Sequence, residues 1–171
     1  MRLWPYQMLD VLPRMQMLSQ WRECLAVGGM LGAENLNHAT VNRVKDYPIE
    51  HFMVYCDLVR EEFANRGWTI GTNTLEKLKN DIGYEENLDN KNYTIVHSLI
   101  DTKNGSPIPE ISVIYNDEKD TTKNYKLFYN FHNERYLKQC LYSFQEKYDC
   151  GMLTDDEWNK IVNKFPNLVE K

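Results

Sequence analysis

The spacing of apolar residues along the chain predicts long amphipathic helices on either side of a polar, less regular middle. The most regular of these runs from Ile49 to Phe63, where apolar side chains recur at i, i+3 and i+4. It starts at Asp46-Tyr47-Pro48, and Gly67 is placed to cap its C-terminus. An earlier helix is predicted from about Pro13 to Val27, ending at Gly28-Gly29, because proline is tolerated in the first turn.

The same pattern predicts two helices near the end of the chain. One starts at Asn133 and ends before Gly151, with an apolar face that includes Leu137 and Phe144. Thr154-Asp155-Asp156-Glu157 has the spacing of a capping box and opens the other. Shorter helical segments are predicted at Thr40–Lys45 and Thr74–Asn80.

Two β-rich runs, Ile111–Tyr115 and Tyr125–Tyr129, flank a charged turn and predict a hairpin. The predicted fold is therefore mainly α, a compact helical bundle with a small β-hairpin insertion and additional C-terminal helices. We expect residues 1–72 to form the helical core and residues 73–130 an acidic, partly irregular insertion. The helices of residues 131–171 should pack on that core, giving one domain overall.

The first helix has an apolar and a polar side. The apolar side comprises Met17, Leu18, Trp21, Cys24 and Leu25. Ser19 and Glu23 lie one turn apart on the other side, flanked by Gln16, Gln20 and Arg22. A carboxylate beside an arginine is a candidate catalytic acid, but the same pattern is typical of a solvated helix face.

Composition indicates a folded protein of 171 residues with 42% hydrophobic residues. We expect a cytoplasmic protein with reduced, mostly buried cysteines, since no apolar run approaches membrane-spanning length and the cysteines form no Cys-x-x-Cys pair. The four histidines have no metal-ligand spacing, so no metal and no cofactor are expected. His38 and His132 are interpreted as surface or capping groups.

The formal net charge of −5 resides mainly in residues 73–123, which carry −4. No segment is strongly basic, and this argues against an extended duplex-DNA footprint.

The N-terminal half resembles the pyrimidine-dimer DNA glycosylase/AP lyase family of the phage endonuclease V type. The segment Gln20-Trp21-Arg22-Glu23 and the helix-ending Arg66-Gly67-Trp68 carry the resemblance most directly. A longer signature comprises Met1-Arg2-Leu3-Trp4, Leu12-Pro13-Arg14, Trp21-Arg22-Glu23-Cys24, His38-Ala39-Thr40-Val41-Asn42 and Tyr47-Pro48. It is similar to a bacterial and phage branch of the family and covers roughly residues 1–72.

The resemblance implies a specific chemistry. The family's nucleophile is the N-terminal α-amine, which would here be that of Met1, and Glu23 would act as the acid/base. An α-amine ordinarily has a pKa near ~7.7–8, against about 10.4 for lysine, so more of it is neutral at physiological pH. The resemblance implies substrate-binding roles for Arg2, Arg14, Gln20, Arg22, His38 and Asn42. The implied partner is DNA with a damaged or modified pyrimidine.

This chain also differs from the family. Arg2 stands where the family has a small residue after the initiator methionine, so we expect Met1 to be retained. Ala26 replaces a further family arginine, and an acidic middle segment stands in place of a basic, aromatic-rich tail. An alternative therefore stays open: a non-catalytic protein that uses the same arginine-lined pocket to bind a free nucleotide.

Overall fold

The computed structural model describes residues 1–84, 92–101, 107–116 and 125–169. A 3-10 helix, Tyr6–Val11, follows an extended N-terminal segment. The remaining elements, in chain order, are α1 (Arg14–Gly32), α2 (Ala39–Lys45), α3 (Ile49–Asn65), α4 (Thr72–Ile82), β1 (Tyr93–Ile100), β2 (Ile108–Tyr115), α5 (Glu134–Asp149) and α6 (Asp155–Lys164). The fold is mainly helical with a small two-stranded antiparallel hairpin, as the sequence predicts. In the described part of the chain, no helix is long and apolar enough to cross a membrane.

Local chemistry accounts for most helix boundaries. Asn133 caps α5 by accepting a hydrogen bond from the Tyr136 amide, and Thr154 forms the predicted capping box with Glu157 on α6. Gly67 follows α3 with φ of +75°, a conformation in which a Cβ is disfavoured. These parts of the secondary-structure prediction are confirmed.

The predicted end of the first helix at Gly28-Gly29 is wrong, because α1 continues to Gly32. The glycines lie on the side where α1 packs against α4. A Cβ on Gly28 would come within 2.7 Å of Leu78 Cδ1, and one on Gly32 within 2.4 Å of the Asp81 carbonyl oxygen. Glycine here permits close helix packing rather than helix termination.

The predicted hairpin pairing is also wrong. β2 pairs with β1, with Tyr93 opposite Tyr115 and Ile100 opposite Ile108. The predicted partner run contributes only an isolated bridge between Lys126 and Ser112, flanked by two backbone hydrogen bonds. It then turns, because Leu127 and Phe128 are fully buried and belong to the core. Residues 117–124, which include most of the charged turn, lie outside the described residues.

The core draws on the whole described chain. Trp4 packs against Phe144 of α5 with ring centroids 4.6 Å apart, and Phe128 lies beside Tyr55 of α3. Cys24, Cys56 and Cys140 are buried free thiols, as expected, whereas Cys150 is exposed. The extended N-terminal segment thus lies between the α1–α3 layer and α5.

Candidate functional site

A polar cavity of about 310 Å³ lies where the N-terminal segment meets α1 and α5. Its lining comprises Met1, Arg2, Trp4, Gln16, Ser19, Gln20, Glu23, Ser143 and Lys147. Two predicted catalytic residues, Met1 and Glu23, therefore line the same cavity, although 22 positions separate them in the sequence. We call this the Met1–Glu23 cavity.

Its charge distribution favours an anionic ligand. Among the described lining residues, Met1 with the terminal amine, Arg2 and Lys147 are basic, and Glu23 alone is acidic. The Arg2 guanidinium carbon lies 4.8 Å from the centre of the Trp4 ring, so stacking orients the arginine. Two basic side chains and a terminal amine in a cavity with one carboxylate are suited to a phosphate-bearing substrate that reacts next to an acid/base group.

Glu23 is half-buried, and within the described part of the chain its carboxylate forms no hydrogen bond or ion pair. In particular, it is not paired with Arg22, which is exposed on the neighbouring face of α1. The Glu23 carboxylate is available to a ligand in the cavity.

Gln20 holds the backbone of the N-terminal segment. Its Oε1 accepts hydrogen bonds from the Trp4 amide at 3.1 Å and from the Tyr55 hydroxyl at 2.7 Å, and its Nε2 donates to the Arg2 carbonyl at 3.1 Å. Gln20 is fully buried, so its predicted place on the polar side of the helix is wrong. Apolar periodicity assigns a glutamine to the solvent side of a helix, but an amide whose polar atoms have three hydrogen-bond partners can be buried without penalty.

Side chains from α2 and α5 hold the same segment. The Thr40 hydroxyl donates to the Met1 carbonyl at 3.2 Å, and the Tyr136 hydroxyl donates to the Leu3 carbonyl at 3.0 Å. Burial raises the pKa values of Tyr55 and Tyr136 well above the usual range, so both phenols stay protonated donors. Residues far apart in the sequence thus fix the position of the Met1 end of the chain.

His132 completes this framework. Its Nδ1 accepts a hydrogen bond from the Tyr6 amide at 3.2 Å, and its own carbonyl accepts one from the Gln7 side chain at 2.9 Å. Burial lowers the pKa of His132 to about 3, so the ring is neutral at physiological pH. The prediction of His132 as a surface or capping group is wrong.

The comparisons with known proteins concern this same part of the chain. Residues 1–76 match the family model for pyrimidine dimer DNA glycosylases. No curated protein and no solved structure gave a significant match. The match confirms the resemblance recognised in the N-terminal half.

Four of the predicted site residues lie outside the Met1–Glu23 cavity. Arg14 stacks on Trp68, with 5.8 Å between its guanidinium carbon and the ring centre, and Arg22 is exposed. His38 caps α2 by accepting from the Thr40 amide, as predicted for a capping group, and Asn42 is exposed on the same helix. Of the eight predicted site residues, the structure therefore brings together four in this cavity: Met1, Arg2, Gln20 and Glu23.

Sequence reasoning missed the α5 side of the cavity. Ser143 and Lys147 are four residues apart and so lie on one side of α5, and both fall outside the family match. The polar side of this amphipathic helix was the available signal, but nothing in the sequence indicated that it would face Met1.

A larger cavity, of about 590 Å³, lies between the 3-10 helix, α3, the hairpin and α6. Its described lining includes Glu61, Glu62, Leu99 and Pro109, but none of the eight predicted site residues. Its volume does not distinguish it, because another cavity, whose lining includes Leu31, Leu36 and Ile82, measures about 600 Å³. Chemistry favours the smaller Met1–Glu23 cavity, whose lining residues supply a terminal amine, a carboxylate and two basic side chains. No cluster of three potential metal ligands occurs within the described residues.

Proposed function

We propose that the protein is a DNA glycosylase/AP lyase that acts on damaged or modified pyrimidines through the α-amine of Met1. The observation that carries the proposal is that Met1 and Glu23 line one cavity. Its further support is the match of residues 1–76 to the pyrimidine dimer DNA glycosylases.

In the proposed reaction, the neutral amine attacks C1′ of the deoxyribose and the glycosidic bond breaks, and the base leaves with the proton that the attacking amine loses. The sugar ring then opens as a proton reaches O4′, which leaves an imine between the amine nitrogen and C1′. Glu23 is placed to supply that proton and to stabilise the cationic imine. Removal of a C2′ proton then expels the 3′-phosphate by β-elimination, and water hydrolyses the imine.

A nucleophile that is already held in position reacts faster than a mobile one. The folded protein has already lost the translational and rotational entropy that a free amine would have to lose in the transition state. The hydrogen bonds of Gln20, Thr40 and Tyr136 to the backbone of residues 1–4 supply that positioning. A target nucleotide must leave the base stack to reach the cavity. Arg2 and Lys147 are placed to hold its phosphates.

The proposal is tested by single-turnover cleavage of a duplex that contains an abasic site. Glu23→Gln keeps the size of the side chain but removes its ability to exchange a proton, so we expect the cleavage rate to fall about 10²-fold or more. Glu61→Gln is the matched control, because Glu61 is an exposed carboxylate that lines the other cavity. Equal rates for the two variants would remove Glu23 from the mechanism.

The alternative is a non-catalytic protein that binds a free nucleotide in the same cavity. The net charge of −5 favours it, because long-range attraction to duplex DNA is then weak. Titration calorimetry with mononucleotides distinguishes the two functions. Tight mononucleotide binding together with an uncleaved abasic duplex would select the alternative.

A further inference from the structure

A second polar cavity, of about 320 Å³, lies at the N-terminal end of α5. Its described lining consists of Arg43, Asn130, Asn133, Arg135, Tyr136 and Gln139. It contains two guanidinium groups and three amide side chains, and no carboxylate lies among its described lining residues. The nearby Glu134 is paired with Lys138, at 2.9 Å. We call this the Arg43–Arg135 cavity.

Arg43 is held in position by its neighbours. Its Nη2 donates to the Asn130 carbonyl at 2.7 Å, and its guanidinium carbon lies 4.6 Å from the centre of the Phe131 ring. Arg135 is exposed, and within the described residues it forms no ion pair. An ordered guanidinium and a second, exposed one in the same cavity are suited to bidentate recognition of a phosphate.

One row of side chains on α5 connects this cavity with the Met1–Glu23 cavity. Arg135, Gln139, Ser143 and Lys147 follow each other at intervals of four residues, the first two lining one cavity and the last two the other. Between the cavities, Tyr136 lines the Arg43–Arg135 cavity and donates its hydroxyl hydrogen to the Leu3 carbonyl. The two cavities therefore lie along one row of polar side chains on α5 that has a cationic residue at each end.

The length of this row fits a nucleic-acid strand. Arg135 and Lys147 are twelve residues apart in α5, which is about 18 Å along a helix that rises 1.5 Å per residue. A single strand of B-form DNA advances about 3.4 Å per nucleotide, so the row spans about five nucleotides. A free mononucleotide could not reach both ends.

We propose that the Arg43–Arg135 cavity is a second phosphate subsite, which holds a backbone phosphate about five nucleotides from the nucleotide that reacts at Met1. This rests on the proposed function, because it assumes that a nucleic-acid strand occupies the first cavity. In this proposal, Arg43 of α2 and Arg135 of α5 supply a local attraction for the strand, which the protein needs because its net charge is −5. The subsite contributes to binding and takes no part in the chemistry at C1′.

The test is fluorescence anisotropy with two duplexes that carry a tetrahydrofuran analogue of the abasic site. The long duplex has about ten nucleotides on each side of the analogue and reaches both cavities. The short duplex ends about two nucleotides from the analogue on the side that faces the second cavity, keeps about ten on the other side, and is prepared in both polarities to find that side. For the long duplex, we expect Arg135→Gln to weaken binding about tenfold and to lower the salt dependence by about one ion. The short duplex should bind wild type and variant equally.

Lys160→Ala is the control, because it removes an exposed positive charge that lines a different cavity. Arg43→Lys keeps the charge but loses the paired N–H groups, so it should show part of the same length-dependent loss. If Arg135→Gln behaves like Lys160→Ala with the long duplex, the subsite is overturned. A loss that is equal for both duplexes and is matched by competition with inorganic phosphate also overturns it, since the ligand is then a free anion.

Reductive trapping with the short duplex, in which a natural abasic site now replaces the tetrahydrofuran analogue, separates this inference from the proposed function. If an adduct forms with the short duplex but Arg135→Gln does not weaken binding of the long one, the subsite proposal is wrong and the lyase proposal is supported. Length-dependent binding without any adduct supports the subsite and removes the lyase.

Discussion

At the residue scale, the candidate site depends on side chains that hold backbone rather than on side chains that react. Gln20 and Tyr55 are fully buried, and their polar atoms bond to each other and to the backbone of Arg2 and Trp4. In a buried environment a lost partner leaves a desolvated polar group, which is more costly than the hydrogen bond itself. The position of the N-terminal segment is therefore expected to be sensitive to these two residues.

Tyr55→Phe tests this sensitivity. The variant leaves the Gln20 Oε1 and the Trp4 carbonyl without the hydroxyl donor, so we expect the free energy of unfolding to fall by about 1–3 kcal/mol. Abasic-site cleavage should fall as well, because the Met1 end of the chain loses part of its support. Urea unfolding and single-turnover cleavage measure the two effects. Tyr142→Phe, which alters a half-exposed tyrosine, should change neither, and an equal effect of both variants would contradict the account.

The two buried histidines predict how stability depends on pH. Burial lowers the pKa of His132 to about 3 and that of His51 to about 4, and each Nδ1 accepts a hydrogen bond from a backbone amide. The unfolded chain takes up these protons near pH 6.5, whereas the folded protein does so only near its lower pKa values. Between those limits the unfolded state binds more protons, so stability falls as the pH falls.

Urea unfolding between pH 7 and pH 4 is the measurement. Each of the two histidines should reduce the free energy of unfolding by about 1.4 kcal/mol per pH unit below pH 6.5. His51→Gln keeps an acceptor for the Phe128 amide and should flatten this dependence, whereas exposed His97→Gln should leave it unchanged. A stability that is constant over this range would show that the histidines are not buried as described.

At the element scale, α1 combines two tasks: it carries Glu23 to the cavity and packs closely on α4. The close packing depends on glycines that sequence analysis interpreted as a helix end. Apolar periodicity predicts which side of a helix is buried, but it does not indicate how near the next helix approaches. The hairpin shows the same limit, since the choice of partner for β2 depended on Leu127 and Phe128 being needed in the core.

Gly32→Ala and Gly29→Ala form a matched pair for this packing. A Cβ at Gly32 meets the backbone of Asp81 at 2.4 Å, so α4 must shift, and we expect destabilisation of about 1–3 kcal/mol. A Cβ at Gly29 meets only the ends of the Lys77 and Asp81 side chains, at 3.4 and 3.7 Å, and alanine favours the helix by up to about 1 kcal/mol. Thermal unfolding measurements should therefore give a lower Tm for Gly32→Ala than for the wild type, and an equal or higher Tm for Gly29→Ala. The reverse order would refute the described packing.

At the scale of the whole molecule, the sequence predicted the helices, most of their ends and the family resemblance of roughly residues 1–72, because these depend on short-range patterns and on a local motif. It did not predict the α5 side of the cavity or the support of the N-terminal segment. The Tyr136–Leu3 hydrogen bond joins residues 133 positions apart, and the His132–Tyr6 bond joins residues 126 apart. Contacts over such separations arise from tertiary packing, which periodicity does not encode.

The central claim is that the α-amine of Met1 forms the covalent intermediate. The most direct test is reductive trapping with borohydride on abasic DNA, followed by proteolysis and mass spectrometry of the cross-linked peptide. Intact-mass measurement first establishes that Met1 is the terminal residue of the protein used. The account predicts a single adduct on the peptide that begins with Met1, lost when an extra residue precedes Met1. An adduct on Lys147, or no adduct with wild-type protein, would contradict it.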